Sequence, residues 1–178
     1  AGRYRQHTQF GAEAIGDPSP LIDAEIIHLL WTYFGELGIG DITLKLNSIG
    51  DAACRPGYVE VLRAHYAPRL TEICVDDRAR FEKNPLRLLD CKENLCQPVI
   101  ASAPRLSGYL CAPCRDHFDA LKGYLSALKI GFSLDDRLVR GLDYYTRTAF
   151  ELQPAVEGSQ SSLGGGGRYD GLTELLGG

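Results

Sequence analysis

The apolar residues of this chain change their period repeatedly, and that change limits the fold more than any other feature. Asp41 to Asn47 alternates, with Ile42, Leu44 and Leu46 on one side, as a half-buried strand requires. Strand patterning returns at Gly131–Leu134 and at Tyr144–Leu152. Between about Gly50 and Ala127 the period is helical. Val59, Leu62, Tyr66 and Leu70 recur at helical spacing, interrupted by Pro68 and ended by Asn84-Pro85. Phe118, Leu121, Leu125 and Leu128 share a later helix face. Near the start, Ser19 and Pro20 predict the cap and first turn of a helix over Leu21–Leu37, with Ile22, Ile26, Leu29, Leu30 and Phe34 as its apolar face. Arg3–Ile15 alternates like a strand. The simplest organisation is an α+β domain interrupted by a mainly helical insertion: residues 1–50 and 116–178 form the sheet-containing part, and 51–115 the insertion.

Composition narrows the class of protein. The 178 residues are 44% hydrophobic, ordinary for a chain that buries a core. No run approaches the ~20 consecutive apolar residues of a membrane span. No apolar stretch follows Arg3 and Arg5, so a secretory signal is not expected. A net charge of -4 argues against a protein held to nucleic acid by bulk electrostatics, and leaves local basic contacts open. Without a secretory signal, the six cysteines read as reduced thiols or metal ligands, and the expected compartment is cytoplasmic. The chain contains no methionine and begins at Ala1, so it is expected to be processed or cut from something larger.

Four stretches carry candidate chemistry. Gln9 and Glu13, on a predicted strand, face the same way roughly 13 Å apart at ~3.3 Å per residue. That suits a grip on both ends of an amino-acid-sized ligand; an exposed polar strand face is the alternative. Arg140-Gly141-Leu142-Asp143-Tyr144-Tyr145-Thr146-Arg147-Thr148 offers a guanidinium beside a glycine, suited to carboxylate or phosphate oxygens, and two tyrosines that a strand would point to opposite faces. An aromatic strand with a surface ion pair would look the same. Gly164 to Gly167 lacks the Lys-Ser/Thr of a P-loop and the third glycine of a dinucleotide fingerprint. The return to Arg168-Tyr169-Asp170 argues for backbone packed closely against something. Cys91-x4-Cys96 and Cys111-x2-Cys114 have the spacing of a closed four-thiolate zinc site. Unligated core thiols and a redox pair are the alternatives, and Cys54 and Cys74 read as core residues.

Arg3-Tyr4-Arg5-Gln6-His7-Thr8-Gln9-Phe10-Gly11-Ala12-Glu13 resembles part of the second class II motif of histidyl-tRNA synthetases, with His7-Thr8 in place of the expected Phe-His. The Arg140–Thr148 stretch resembles that family's histidine signature, and Gly165-Gly166-Gly167-Arg168-Tyr169-Asp170-Gly171-Leu172 its glycine-rich one. Leu46-Asn47-Ser48-Ile49-Gly50 and Asn84–Asp90 match further family patterns, so the resemblance runs the length of the chain in order.

The resemblance implies part of a class II antiparallel sheet with flanking helices. It implies that Gln9 holds the α-amino end of histidine, that Glu13 and Tyr145 read the imidazole, and that Tyr144 and Tyr169 shape the pocket. Arg140 would be the catalytic arginine at the α-phosphate, with Arg3 a further ATP contact. Histidine, ATP with Mg2+, and tRNA(His) would be the partners of a homodimeric enzyme, the insertion lying toward the tRNA acceptor arm. Zinc on Cys91, Cys96, Cys111 and Cys114 would be structural. The first class II motif, the ATP-clamping arginine of the second, the third motif and an anticodon-binding domain are not found in the chain, so activity is expected of a longer parent protein and not of these residues alone. The rivals are a catalytically dead, synthetase-like regulatory subunit of ATP phosphoribosyltransferase, disfavoured by Arg140, Tyr144, Tyr145, Gln9 and Glu13 standing together, and a zinc-stabilised nucleic-acid-binding module, disfavoured by the acidic charge.

Overall fold

The computed structural model describes residues 6, 8–139, 144–154 and 162–178. Ser19 opens the first helix, α1 (Pro20–Glu36): its Oγ accepts a hydrogen bond from the Leu21 N–H at 3.1 Å, and Pro20 fills the first turn, where a missing N–H costs nothing. The helix stops at Leu37, with Gly38 left-handed at φ 72°. Its buried residues are Asp23, Ala24, Ile27 and Phe34, a stripe rotated from the expected one. Leu29 is 51% exposed, and Ile22 and Ile26 turn toward a cleft. The rotation follows from Asp23, a charged residue that three partners hold inside.

Four strands form one sheet in the order β2–β1–β3–β4. They are β1 (Ile42–Ser48), β2 (Phe132–Leu134), β3 (Thr146–Pro154) and β4 (Gly164–Arg168). The β1–β3 pair is antiparallel, with Leu44 opposite Leu152 and Leu46 opposite Phe150; β3–β4 is also antiparallel, and β1–β2 is parallel. The sheet is therefore mixed where an antiparallel one was expected, because the long helical stretch between β1 and β2 acts as a crossover connection. Leu44, Leu46, Phe150 and Leu152 share a core with Ala24, Ile27 and Phe34 of α1 and with Phe118, Leu121 and Leu125 of α5 (Ala112–Ala127).

The crossover has a core of its own. Tyr58 and Leu62 of α2 (Arg55–Tyr66), Phe81 of α3 (Val75–Lys83), and Val99 and Ile100 of α4 (Gln97–Ala101) meet Leu88 and Leu106, with Ile49 and Ala149 reaching in from the sheet. Pro68 converts the end of α2 into a 3-10 turn over Ala67–Glu72. Asn84 ends α3 and caps the next turn, its Oδ1 accepting from the Leu86 N–H at 3.1 Å. The chain closes with α6 (Leu172–Leu175).

The expected strand over 3–15 is not formed in residues 8–15. A strand needs a neighbour to complete its hydrogen-bond ladder, and among the described residues none lies beside it. Phe10 and Ile15 are accordingly 74% and 84% exposed. Among the described residues no helix is long and apolar enough to cross a membrane.

Candidate functional site

Four glycines and an arginine make an improbable strand, and the reason for β4 is close approach. A Cβ on Gly167 would collide with the Thr148 carbonyl oxygen and lie 2.9 Å from Cδ1 of Tyr145, and one on Gly166 would sit 3.0 Å from the Phe150 ring. Without side chains, β4 lies flat against β3 and delivers Tyr169 to the two tyrosines that precede β3. The Tyr144 and Tyr145 ring centroids are 4.8 Å apart, and Tyr169 meets them nearly edge-on at 6.1 and 6.4 Å. Because β3 begins at Thr146, Tyr144 and Tyr145 escape strand alternation and stack on each other, contrary to the expected opposite orientations. Burial raises the Tyr169 phenol above its usual range, and the nearby Glu13 carboxylate adds to this, followed by Tyr145 and Tyr144. Among the described residues the buried Tyr169 hydroxyl has no hydrogen-bond partner.

A cleft of about 610 Å³ runs beside this cluster, between residues 12–18, α1, the β3–β4 pair and α6. Glu13, Ile22, Ile26, Arg168 and Tyr169 contribute to its walls, and its size is within the range of small-molecule sites. Its floor is braced by Asp23. One oxygen, Oδ2, is 2.7 Å from Nε2 of His117 and accepts from the Thr148 hydroxyl at 2.5 Å; the other, Oδ1, accepts from Nη1 of Arg168 at 2.9 Å. Arg168 also donates through Nη2 to the Asp17 carbonyl at 2.8 Å, and its Nε lies 3.1 Å from Asp170. Asp23, His117, Thr148 and Arg168 are all buried, so α1, α5, β3 and β4 are tied together through one carboxylate.

Of the predicted site residues, Glu13, Tyr144, Tyr145 and Tyr169 come together. Gln9 is exposed and takes no part in the cleft walls. Arg3 and Arg140 lie outside the described residues; Leu138 and Tyr145 are each held by a buried or half-buried side chain. Asn47, buried in β1, donates through Nδ2 to the Leu138 carbonyl at 3.0 Å. Arg55, at the start of α2, donates to the carbonyls of Ile49 (3.1 Å), Gly50 (2.9 Å) and Tyr145 (2.5 Å). Neither anchor carries a sequence signal beyond the Leu46–Gly50 stretch in which Asn47 stands.

The cysteines do not form the expected single site. Cys91 and Cys96 gather with Cys74 and Asp77, whereas Cys111 and Cys114 gather with Asp51 and Cys54; within each group the candidate ligand atoms all lie within 4.8 Å of one another. The two predicted pairs are separated because α4 and the turn at Leu106–Gly108 carry the chain from one group to the other. Cys54 and Cys74, expected to be plain core residues, belong to the groups. All six thiols are free. Burial, then the carboxylates among their neighbours, pushes the thiols of Cys91, Cys96 and Cys114 up. Burial opposes ionisation of Asp51, yet the Cys114 thiol, the Ala53 N–H and Arg147 together hold its carboxyl down at about 2.

Two curated relatives decide the kinship. The chain is 53% identical over all 178 residues to the histidine–tRNA ligase of Dehalococcoides mccartyi, and 52% identical over 178 residues to that of Moorella thermoacetica. Along its whole length the chain is similar to histidine–tRNA ligases. It spans 43% and 42% of the length of those two relatives. Among solved structures, the apo histidyl-tRNA synthetase of S. aureus matches with a TM-score of 0.70 at 39% identity, over 93% of this chain and 40% of that one. An ATP phosphoribosyltransferase regulatory subunit/histidyl-tRNA synthetase from Bacillus halodurans C matches with a TM-score of 0.57 at 20% identity, over 92% of this chain and 46% of that one, a likeness of fold alone. No protein-family model matches. The likeness to the S. aureus structure agrees with a class II arrangement for the mixed sheet with flanking helices.

Proposed function

We propose that this chain supplies the histidine-recognising wall and the insertion of a histidine–tRNA ligase, which joins histidine to ATP as histidyl-adenylate and passes the histidyl group to tRNA(His). The observation that carries this reading is the convergence of Glu13 with Tyr144, Tyr145 and Tyr169 in a chain 53% identical to a histidine–tRNA ligase along its whole length.

In this reading Glu13 and Tyr145 hold the two imidazole nitrogens, Tyr144 and Tyr169 close the ring's sides, and Gln9 takes the α-amino group when the ligand draws residues 8–15 inward. A side chain lacking two ring nitrogens would leave buried polar groups unpaired, and that penalty is the source of selectivity. The histidine carboxylate attacks the α-phosphorus of ATP, the bond to the bridging oxygen breaks, and pyrophosphate leaves. Arg140, with Arg3 as a further contact, sits at the phosphates, where a fixed guanidinium stabilises the charge that develops. Mg2+ accompanies the ATP. A cytoplasmic homodimer acting on tRNA(His) completes the reading, with the residues between β1 and β2 turned toward the acceptor arm.

The test is histidine-dependent exchange of labelled pyrophosphate into ATP by the full-length protein that carries this segment. Exchange with histidine and not with the other amino acids is the expected result. A folded, histidine-binding protein without exchange would contradict it and favour the regulatory-subunit reading.

A further inference from the structure

We infer that the two cysteine–aspartate groups are two separate tetrahedral zinc sites, one on Asp51, Cys54, Cys111 and Cys114 and one on Cys74, Asp77, Cys91 and Cys96, nested so that the outer site closes the base of the helical crossover and the inner site closes its middle.

The spacing of the ligand atoms is the first argument. A tetrahedral zinc with Zn–S near ~2.3 Å and Zn–O near ~2.1 Å places neighbouring ligand atoms about 3.6–3.8 Å apart. Cys54 Sγ lies 3.9 Å from Cys114 Sγ and 3.6 Å from Oδ1 of Asp51, which is 3.9 Å from Cys111 Sγ. In the inner group Cys74 Sγ and Cys91 Sγ are 3.9 Å apart. Disulfide sulfurs would be ~2.05 Å apart, so these groups are arranged as ligand shells and not as bridges.

The carboxylates give the second argument. Asp77 is 1% exposed; Oδ1 accepts from Nη1 of Arg80 at 2.9 Å, and Oδ2 is buried with no hydrogen-bond partner among the described residues. An orphaned carboxylate oxygen beside three thiols is costly unless a cation sits among them. Asp51 has the same division of labour. Its Oδ2 faces Nη2 of Arg147 at 3.4 Å, leaving Oδ1 to the sulfurs and the Ala53 N–H. Each carboxylate is thus oriented by an arginine, as metal-ligating carboxylates are oriented by hydrogen bonds from outside the shell.

The backbone gives the third. Cys54, Cys74 and Cys111 occupy the N-cap positions of α2, α3 and α5, where Ser, Thr, Asp or Asn is preferred, and none of the three sulfurs caps its helix. Three two-residue spacings, Asp51-x2-Cys54, Cys74-x2-Asp77 and Cys111-x2-Cys114, start at or end on these caps, which places two ligands on one side of each shell. In the inner group the Cys74 N–H donates to Cys96 Sγ at 3.2 Å. Closed shells of four protein ligands leave no open position, so both sites are structural. Loading each one exchanges three thiol protons for the cation and releases them to solvent.

The experiment is elemental analysis and native mass spectrometry of the chain purified under reducing, chelator-free conditions. Two zinc ions per chain are expected, falling to one in Cys54→Ser, to one in Cys91→Ser and to none in the double variant. If the variants do not fold, the unaltered chain decides: chelator-treated protein given cobalt(II) should develop thiolate-to-cobalt charge transfer and tetrahedral visible bands, saturating at two equivalents. Zinc below half an equivalent together with no thiolate–cobalt absorption overturns the inference. So does a zinc content that the double variant leaves unchanged, and so do disulfides in place of metal.

Discussion

Arg55 donates a 2.5 Å hydrogen bond from Nη2 to the carbonyl oxygen of Tyr145, ninety residues away in sequence. The same guanidinium holds Ile49 and Gly50, so the end of β1, the start of α2 and the tyrosine pair are fixed by one side chain. A charged donor satisfying three carbonyls contributes about 2 kcal/mol. Arg55→Ala should lower the urea midpoint by a matching amount and raise KM for histidine in the full-length protein, and Arg55→Lys should restore little, because an ammonium cannot span the fork. Unchanged stability and KM in Arg55→Ala would remove this anchor from the account.

Asp23 should be among the least replaceable residues. Asp23→Ala would leave Nη1 of the buried Arg168 without its carboxylate, with only the half-exposed Asp170 remaining beside Nε, and strip a partner from His117 and from Thr148. Removing one member of a buried charged pair costs about 3–5 kcal/mol. Chemical denaturation of the variant should show a loss of that size or failure to fold. A loss below about 1 kcal/mol would mean that solvent screens the group far more than its burial implies.

Two buried phenols set an alkaline limit. Tyr58 and Tyr66 are 0% exposed, and burial, their largest influence, raises both above the ordinary tyrosine range. An unfolded tyrosine loses its proton near pH ~10, so the stability held by these neutral phenols is fully present below that pH. It is lost as pH rises through the folded values, because the unfolded state then binds fewer protons. The slope is about 1.4 kcal/mol per pH unit for each phenol. Thermal unfolding between pH 8 and 12 should show this decline, with tyrosinate absorbance appearing together with unfolding. A Tyr58→Phe, Tyr66→Phe double variant should flatten it; a decline of the same steepness in that variant would assign the effect to other groups.

Gly167 admits no side chain. In Gly167→Ala the new methyl group would meet the Thr148 carbonyl and the Tyr145 ring, so β4 must move off β3 or Tyr145 must leave its place. Overpacking of this kind costs about 1–3 kcal/mol. The variant should lose stability by that amount and bind histidine more weakly, whereas Gly171→Ala, which meets nothing within 4 Å, should be near neutral. Equal behaviour of the two variants would refute the close-approach explanation of the glycine run.

Legibility differed from element to element. The first helix, β1, α5 and β3 follow directly from apolar periodicity and capping residues, because each presents one face to a core. The strand β4 could not be read this way, since glycines have no side chains to alternate; it forms because Phe150 and Tyr145 already occupy the space above it. Residues 8–15 alternate like a strand and are not one, since alternation describes a face and cannot supply the neighbouring strand. Nearness in sequence pairs Cys91 with Cys96 and Cys111 with Cys114, and the fold adds Cys74 and Asp77 to the first pair and Asp51 and Cys54 to the second. With Asp51 and Asp77 counted as ligands, the spacings Asp51-x2-Cys54 and Cys74-x2-Asp77 are visible in the sequence. The Asp23 network left no trace in the sequence, because Asp23 lies 94, 125 and 145 residues from His117, Thr148 and Arg168.

The proposed histidine-recognising wall is tested most directly by the KM for histidine in pyrophosphate exchange, measured on the full-length protein and on its Glu13→Ala and Tyr145→Phe variants. Losing a charge-assisted hydrogen bond to the imidazole is worth about 1.5–3 kcal/mol, so Glu13→Ala should raise KM by at least about tenfold while KM for ATP stays within about twofold. Tyr145→Phe should move in the same direction by a smaller factor. A histidine KM unchanged in both variants would contradict the account.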